Sequence, residues 1–259
     1  MTPTDHPSAD AVRNIRAAYR RFAEGFPHGR SREDAELLLI DSGSTLTELN
    51  VAFVTSPPGD PERTVERAAE FFRERPQHWR LESDESLAPS LSGPATGAGL
   101  TQVERRPALT VPIPLVGVPA LTSQHVVSPV ATTEESKQFA DVLARGSEFT
   151  PPAELFDVPF HRLRPMRCYL AWERETPVAC SMLLPDEFFG GIYAVATLPS
   201  HRRRGLARSL TVGSLTDALA AGCRASCLQA SPMGLPVYLG LGYRRRFDDI
   251  VWTSPLGSS

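Results

Sequence analysis

Near the start of the chain, apolar residues recur at Val12, Ile15, Ala18, Tyr19 and Phe22, close to helical period, so residues 11–26 are expected to form a surface helix. Two short apolar runs, 35–40 and 49–54, are parted by Asp41-Ser42-Gly43-Ser44 and read as two strands joined by a turn. Asp60 suits a helix N-cap and Pro61 its first turn, and the periodicity carries that helix through Phe72. Residues 78–82 read as another strand. The stretch 87–99, rich in Ser, Pro, Gly and Ala, fits a loop or a poor helix, and the Pro-interrupted run 107–115 can be at most an edge strand.

Val116-Gly117-Val118-Pro119-Ala120 marks the expected boundary between two domains, 1–120 and 121–259. Beyond it come a short strand near 125–127, a helix over 134–144 and a loop or short helix at 151–156. Strands are expected at 167–173, 178–184 and 191–197, then a long helix from Pro199 to about 221. Its Leu206, Leu210, Leu215 and Leu219 fall roughly on one side. A strand at 226–230, a short helix at 235–241 and two strands at 243–247 and 250–253 complete the pattern. The expected class is α/β, with an α+β-type mixed sheet.

Composition narrows the possibilities. With 41% hydrophobic and 22% charged residues the chain is globular in type, and no apolar run approaches the roughly 18 residues of a membrane span. The opening Met1-Thr2-Pro3-Thr4-Asp5-His6-Pro7 has neither the basic start nor the apolar stretch of a secretory signal, so a cytoplasmic location is expected. A net charge of -3 argues against a dedicated nucleic-acid binder. Cys168, Cys180, Cys223 and Cys227 lie in apolar segments and read as buried thiols. No second pair of ligands accompanies Cys223 and Cys227, so no metal site is expected.

Chemistry concentrates in residues 191–208, where an apolar strand runs into the basic turn His201-Arg-Arg-Arg-Gly205 and then into a helix. The first backbone N–H groups of a helix have no internal partner and lie at the positive end of its dipole, which stabilises phosphate oxygens there. Gly205 lets the backbone approach closely, and the small Ala207 leaves room for a bulky ligand. Taken alone, Arg202 to Arg204 would equally fit a solvated loop or a nucleic-acid patch.

Arg202-Arg-Arg-Gly205-Leu-Ala207, set between a strand and a helix, resembles the pyrophosphate loop of the GNAT superfamily of acyl-CoA-dependent N-acyltransferases, written Gln/Arg-x-x-Gly-x-Gly/Ala. The later run Ser231-Pro-Met-Gly-Leu-Pro-Val-Tyr238-Leu-Gly-Leu-Gly-Tyr243 is similar to the family's closing segment, and the resemblance covers about 124–255. It implies a GNAT fold, a central mixed sheet flanked by helices, that transfers an acyl group from acetyl-CoA or another acyl-CoA to the amine of a small molecule by direct attack in a ternary complex. By the same resemblance the cofactor-binding residues are Arg202, Arg203, Arg204, Gly205, Leu206 and Ala207, with backbone N–H groups from Arg203 to Ala207 holding the pyrophosphate. Val195 and Thr197 would pair with the pantetheine arm, Ser231 would lie near it, and Tyr238 would be the general acid.

One departure concerns the base. Many family members carry a glutamate on the strand before the loop, whereas Ile192 to Thr197 contains no acid. Glu187, beside Asp186 in the preceding turn, is the candidate base, with Glu173, a water relay or an amine arriving neutral as alternatives. Tyr238 has a plain packing role as its alternative. His201 is expected at the surface, and His161 has no identifiable partner. Trp172, Phe188 and Phe189 could line an acceptor pocket or serve as ordinary core. Neither Ser231 nor any cysteine sits in a nucleophile elbow.

The first half repeats the order strand, strand, helix, strand, poor helix, strand, which suggests a tandem form. Where the second half has its basic loop, the first has Thr55-Ser-Pro-Pro-Gly-Asp60-Pro-Glu62, whose acids would repel a phosphate. It reads as a degenerate GNAT-like half or as an unrelated α+β cap. Expected partners are an acyl-CoA and a small-molecule amine, without nucleic acid or membrane, in a monomer or homodimer. The alternatives to an enzyme are an acyl-CoA-binding sensor or scaffold and an Arg-rich nucleic-acid binder.

Overall fold

The computed structural model describes residues 7–75, 78–115 and 126–254, so the expected boundary at 116–120 and residue 125 lie outside the described residues. In chain order the elements begin with α1 (Pro7–Ala23), β1 (Arg30–Glu33), β2 (Leu37–Asp41), β3 (Asn50–Val54), α2 (Pro61–Arg73), β4 (Arg80–Asp84) and α3 (Ala88–Gly97). They continue with β5 (Thr101–Pro112), β6 (Val126–Pro129), α4 (Thr133–Ser147), β7 (Arg167–Glu173), β8 (Thr176–Pro185) and β9 (Phe189–Thr197). The last are α5 (Leu206–Ala220), β10 (Ala225–Gln229), α6 (Leu235–Leu239) and β11 (Arg244–Thr253). The class is α/β with mixed sheet, as the sequence pattern predicts. Two compact units can be distinguished: one comprises the described residues of 1–18 and 108–246, the other those of 19–107 and 247–259.

In the first unit the strands run β6-β7-β8-β9-β10-β5. The β6–β7–β8–β9 pairs are antiparallel, β9–β10 is parallel and β10–β5 is antiparallel. A parallel pair needs a crossover, and α5 supplies it. Helices α4 and α5 pack against β8 and β9. Phe139, Ala140 and Leu143 of α4 and Leu206, Leu210, Leu215 and Ala218 of α5 are buried. Leu219 is exposed, because it lies one residue, about 100° of helical turn, past the buried face that carries Leu210, Ser214 and Ala218. A capping box starts α4: Thr132 Oγ1 accepts the Glu135 N–H at 3.1 Å while Glu135 Oε2 accepts the Thr132 N–H at 3.0 Å.

The start of α1 belongs to this unit. Ala11 packs with Phe189, Ala225 and Cys227. Asn14, buried on the same helix, donates Nδ2–H to Leu184 O at 3.2 Å and to Asp186 Oδ2 at 2.6 Å, and accepts the Tyr193 hydroxyl on Oδ1 at 2.5 Å.

The second unit shows the same order of pairings: β1–β2–β3 antiparallel, β3–β4 parallel across α2, and β4 antiparallel to residues 249–253 of β11. Its core is built from Leu37, Val54, Val65, Phe72, Leu81 and Trp252, with Phe72 stacked on Trp79. Inside it Arg80 and Glu82 form a buried ion pair at 2.8 Å, and Arg106 donates to the Tyr19 hydroxyl at 2.9 Å. Burial raises the Tyr19 hydroxyl above its ordinary value, with the neighbouring Arg106 charge opposing. A paired charge of this kind is weak evidence for stability, but breaking it would strand a charge in the interior.

Three expectations change. Strand β5 lies between β11 and β10 and is no edge strand; Pro107 precedes the stretch paired with β10, which covers Ala108 to Pro112, and Pro112 ends it. The two strands expected after Tyr243 are one, β11. Asp248 and Asp249 do not break it, because both are buried and Arg105 Nε meets Asp248 Oδ2 at 3.1 Å. Strand β1, Arg-Ser-Arg-Glu, has no apolar periodicity and is held by its ladder with β2.

Candidate functional site

Strand β9 passes into a single 3-10 turn at Pro199–His201 and then into the basic loop. Arg203 (φ 61°) and Gly205 (φ 80°) are both left-handed, and a left-handed residue at a helix start lets successive N–H groups converge on an anion. Helix α5 has Gly205 as its N-cap, no side-chain cap and no acid in its first turn, so no side chain satisfies its leading amides. A Cβ on Gly205 would meet nothing within 4 Å, which leaves space in front of those amides. Leu206, buried in the core, fixes the helix start, and Ala207 is half-buried.

The loop's cations are disposed differently. Arg202 turns to the end of α4, with its guanidinium donating to Gly146 O at 2.9 Å and ion-paired with Glu148. Gly146 is a close-approach position, since a Cβ there would come within 2.9 Å of Ala196 Cβ and Thr197 N on β9. Arg203 is exposed. Arg204 donates to Glu173 Oε1 at 3.2 Å and to Ser200 O at 3.1 Å. His201 is not at the surface as expected: its side chain is 18% exposed, held between Glu173 Oε2 at 3.1 Å and Ser200 Oγ at 2.9 Å.

Val195 and Thr197 are half-buried on β9. The parallel ladder with β10 joins Phe189–Gly191 to Ala225–Cys227, and β9 runs on to Thr197 beyond it. On its other side β9 carries a bulge against β8. Cys180 pairs with Ala196 and Met182 with Tyr193, so Ala194 and Val195 together oppose Ser181; Ala194 has φ 49°. A bulge leaves one residue outside the ladder and re-aims its backbone.

Helix α6 packs against α5 and carries Tyr238. The ring is buried edge-on to Tyr243, at 5.8 Å between centroids. Burial pushes the hydroxyl up to about 12. Among the described residues no group hydrogen-bonds that hydroxyl, whereas the neighbouring Tyr243 hydroxyl is 2.7 Å from Ser226 Oγ. Ser231, exposed just before α6, accepts the Gly234 N–H at 3.1 Å on its Oγ.

Other expected residues fall elsewhere. Glu187 is exposed in the β8–β9 turn, at the far end of β9 from the loop. From the start of β9 at Phe189 to Val195 the strand runs six residues, about 20 Å at strand rise. Asp186 is committed to its turn, accepting the Phe188 and Phe189 N–H groups on Oδ1. Phe189 is core, and Trp172 donates Nε1–H to Ser128 Oγ at 2.8 Å. His161 does have a partner: its Nδ1 lies 2.8 Å from Ser136 Oγ. That hydroxyl also accepts the His161 N–H and donates to Thr132 O, so it is saturated and forms a structural clip. All four cysteines are free and buried, and burial raises each thiol. Among the described residues no group of three or more His, Cys, Asp or Glu is placed to hold a metal ion, and no helix is long and apolar enough to cross a membrane.

The second unit's equivalent helix start is closed by the chain itself. Asp60 Oδ1 accepts the Arg63 N–H at 3.0 Å, and Glu36, from the turn before β2, accepts the Gly59 N–H at 3.0 Å and the Thr64 hydroxyl at 3.1 Å. Those bonds hold the Glu36 carboxyl below its ordinary value. Two resident carboxylates thus take the place a phosphate would need.

Residues 130–246 match the acetyltransferase (GNAT) domain family. No curated protein matches the chain significantly in sequence. Among solved structures, a GCN5-related N-acetyltransferase from Kribbella flavida superposes with a TM-score of 0.70 at 22% identity, over 95% of each chain. A GCN5-related N-acetyltransferase from Sphaerobacter thermophilus gives 0.61 at 12% identity, over 85% of this chain and 81% of that one. A tandem GNAT protein from the clavulanic acid biosynthesis pathway gives 0.59 at 16% identity, over 99% of this chain and 98% of that one. At such identities the likeness is one of fold. The match to the acetyltransferase (GNAT) domain model over residues 130–246 and the strand–loop–helix geometry fall on the same part of the chain, which is similar to that family in sequence pattern and in fold.

Proposed function

We propose that the chain is an acyl-CoA-dependent N-acyltransferase that transfers acetyl from acetyl-CoA to the amine of a small molecule by direct attack. The observation that carries the reading is the start of α5: uncapped, preceded by left-handed Arg203 and Gly205, and open in front. Backbone amides from Arg203 to Ala207 are the groups suited to the pyrophosphate. The β9 backbone at Val195 and Thr197, past the end of the β10 ladder, is suited to pair with an extended arm as an added strand would, with Ser231 near its course.

The co-substrate would bring a thioester, an acyl group already activated with a thiolate as leaving group. What remains for the chain is to orient a neutral amine, to stabilise the developing oxyanion and to help the sulfur leave. An amide freed by the bulge at Ala194–Val195 is the backbone donor available for the oxyanion. The Tyr238 hydroxyl, near 12, stays protonated throughout the neutral range and acts as a hydrogen-bond donor to the sulfur. With Glu187 at the other end of β9, no side chain is assigned as base, and the amine is expected to arrive neutral or to lose its proton to water.

A second reading, a non-catalytic acyl-CoA-binding module, draws on the lack of an acid in Ile192 to Thr197. Thiol release from acetyl-CoA with a panel of amines separates the two: turnover supports the enzyme, and CoA binding without turnover supports the module. Failure to bind CoA overturns both. Tyr238→Phe should lower kcat by about 10²-fold, the low end for acid catalysis, since a thiolate is a fair leaving group. CoA affinity should stay nearly unchanged, and the wild-type rate should show no Tyr238 limb between about pH 7 and 10. A kcat within about twofold of wild type, with chemistry rate-limiting, would leave Tyr238 a packing residue.

A further inference from the structure

Two basic residues of the loop share one carboxylate. Glu173 closes β7, and each of its oxygens faces a different loop residue: Oε2 lies 3.1 Å from His201 Nε2 and Oε1 lies 3.2 Å from the Arg204 guanidinium. His201 is braced from behind by Ser200 Oγ, and Arg204 also reaches Ser200 O, so the carboxylate and the flank of the loop form one small network. Its exposure sets it apart from the Arg202 anchor. The Glu173 and Arg204 side chains are 44% and 50% exposed, whereas Arg202 is bound to a backbone carbonyl of α4 at a glycine seated against β9. Exposed ion pairs are weak and readily exchanged for a stronger anion, and the Arg204 guanidinium is the more exposed of the two, at 50% against 26% for Arg202.

We infer that Glu173 is an internal counter-ion of the loop, which holds Arg204 and His201 in the ligand-free protein and yields them to a phosphate group of the cofactor. This rests on the reading of the loop as a CoA site. Both side chains belong to the turn that leads into the uncapped start of α5, where the dipole and free amides already favour a phosphate. A phosphate offers more charge and more acceptor oxygens than a carboxylate, and would take both donors at once. The carboxylate is then a specificity-determining residue: it lowers affinity for any anion too weak to displace it.

The alternative, a plain structural bridge that presents the loop, has the opposite consequence, so the sign of one measurement decides. In Glu173→Gln, CoA should bind more tightly by about two- to fivefold, the factor that an exposed ion pair is worth. Dephospho-CoA, titrated in parallel, locates the acceptor: a gain confined to CoA assigns the 3′-phosphate, and an equal gain for both ligands assigns the pyrophosphate. Unchanged or weaker CoA binding in folded Glu173→Gln overturns the counter-ion role. Should that variant fail to fold, Glu173→Asp, whose shorter side chain retreats from both Arg204 and His201, must show the same gain. If wild-type protein does not bind CoA, the proposed function falls with it. Binding that is lost in Gly205→Glu yet unaltered in the Glu173 variants overturns the counter-ion alone.

Discussion

Gly205→Glu should abolish CoA binding, with a loss of affinity beyond about 100-fold. Two effects act in the same direction. At φ 80° a residue with a Cβ is strained by roughly 1–2 kcal/mol, so the turn that presents the α5 amides is disfavoured. The side chain also enters the open space before the helix and places a carboxylate where the dipole and unsatisfied N–H groups attract an anion. The variant would supply for α5 what Asp60 and Glu36 supply for α2. Gly205→Ala separates the effects, because its methyl meets nothing and only the strain remains; its loss should be about 30-fold at most. Calorimetry on variants with wild-type circular dichroism is the measurement. Affinity within about threefold of wild type in Gly205→Glu would remove the pyrophosphate from this helix start.

The second large effect concerns stability. A methyl on Gly191 would overlap Asn14 Oδ1 and the Tyr193 hydroxyl, which are tied to each other at 2.5 Å. Both ends are ordinarily movable, but Asn14 is also held by Leu184 O and Asp186, and the site is buried. Gly191→Ala must therefore overpack the site or expel Asn14 and leave its partners unsatisfied. Each alternative costs about 1–3 kcal/mol, and some of both is expected, so a loss near 3 kcal/mol should appear in chemical denaturation. Asn14→Ala should be destabilising alone, yet the double variant should lose less than the sum, because the methyl then finds space. Additive losses would show that the two residues do not compete for one volume.

These two glycines differ in how far the sequence betrays them. Gly205 stands in a local pattern, an apolar strand, a basic turn and a helical period, and each part is set by residues next to it. The same holds for Asp60 at the start of α2, for the break before α6 that places Tyr238, and for the alternation of strand and helix that specifies an α/β chain. Gly191 carries no such signal. Its constraint comes from Asn14, 177 positions earlier, a single polar residue on an otherwise apolar helix face. The acid Glu36 closes the start of α2 from 23 residues before Gly59, and only the folding of β2 beside that helix brings them together.

Nearest-neighbour chemistry accordingly determined the loop, the caps, the helix that follows and most strands of this protein. Tertiary structure alone decided which charges meet. It set Glu173 against Arg204 and His201, turned Arg202 away to Gly146, sent Glu187 to the far end of β9, and gave His161 a serine. It also made one strand of 244–253, where two strands are expected, because Arg105 meets Asp248 and the β4 ladder pairs residues 249–253. Helical and strand periods are set within a few residues, but ion pairs, bulges and close approaches depend on which distant segments the core brings into contact.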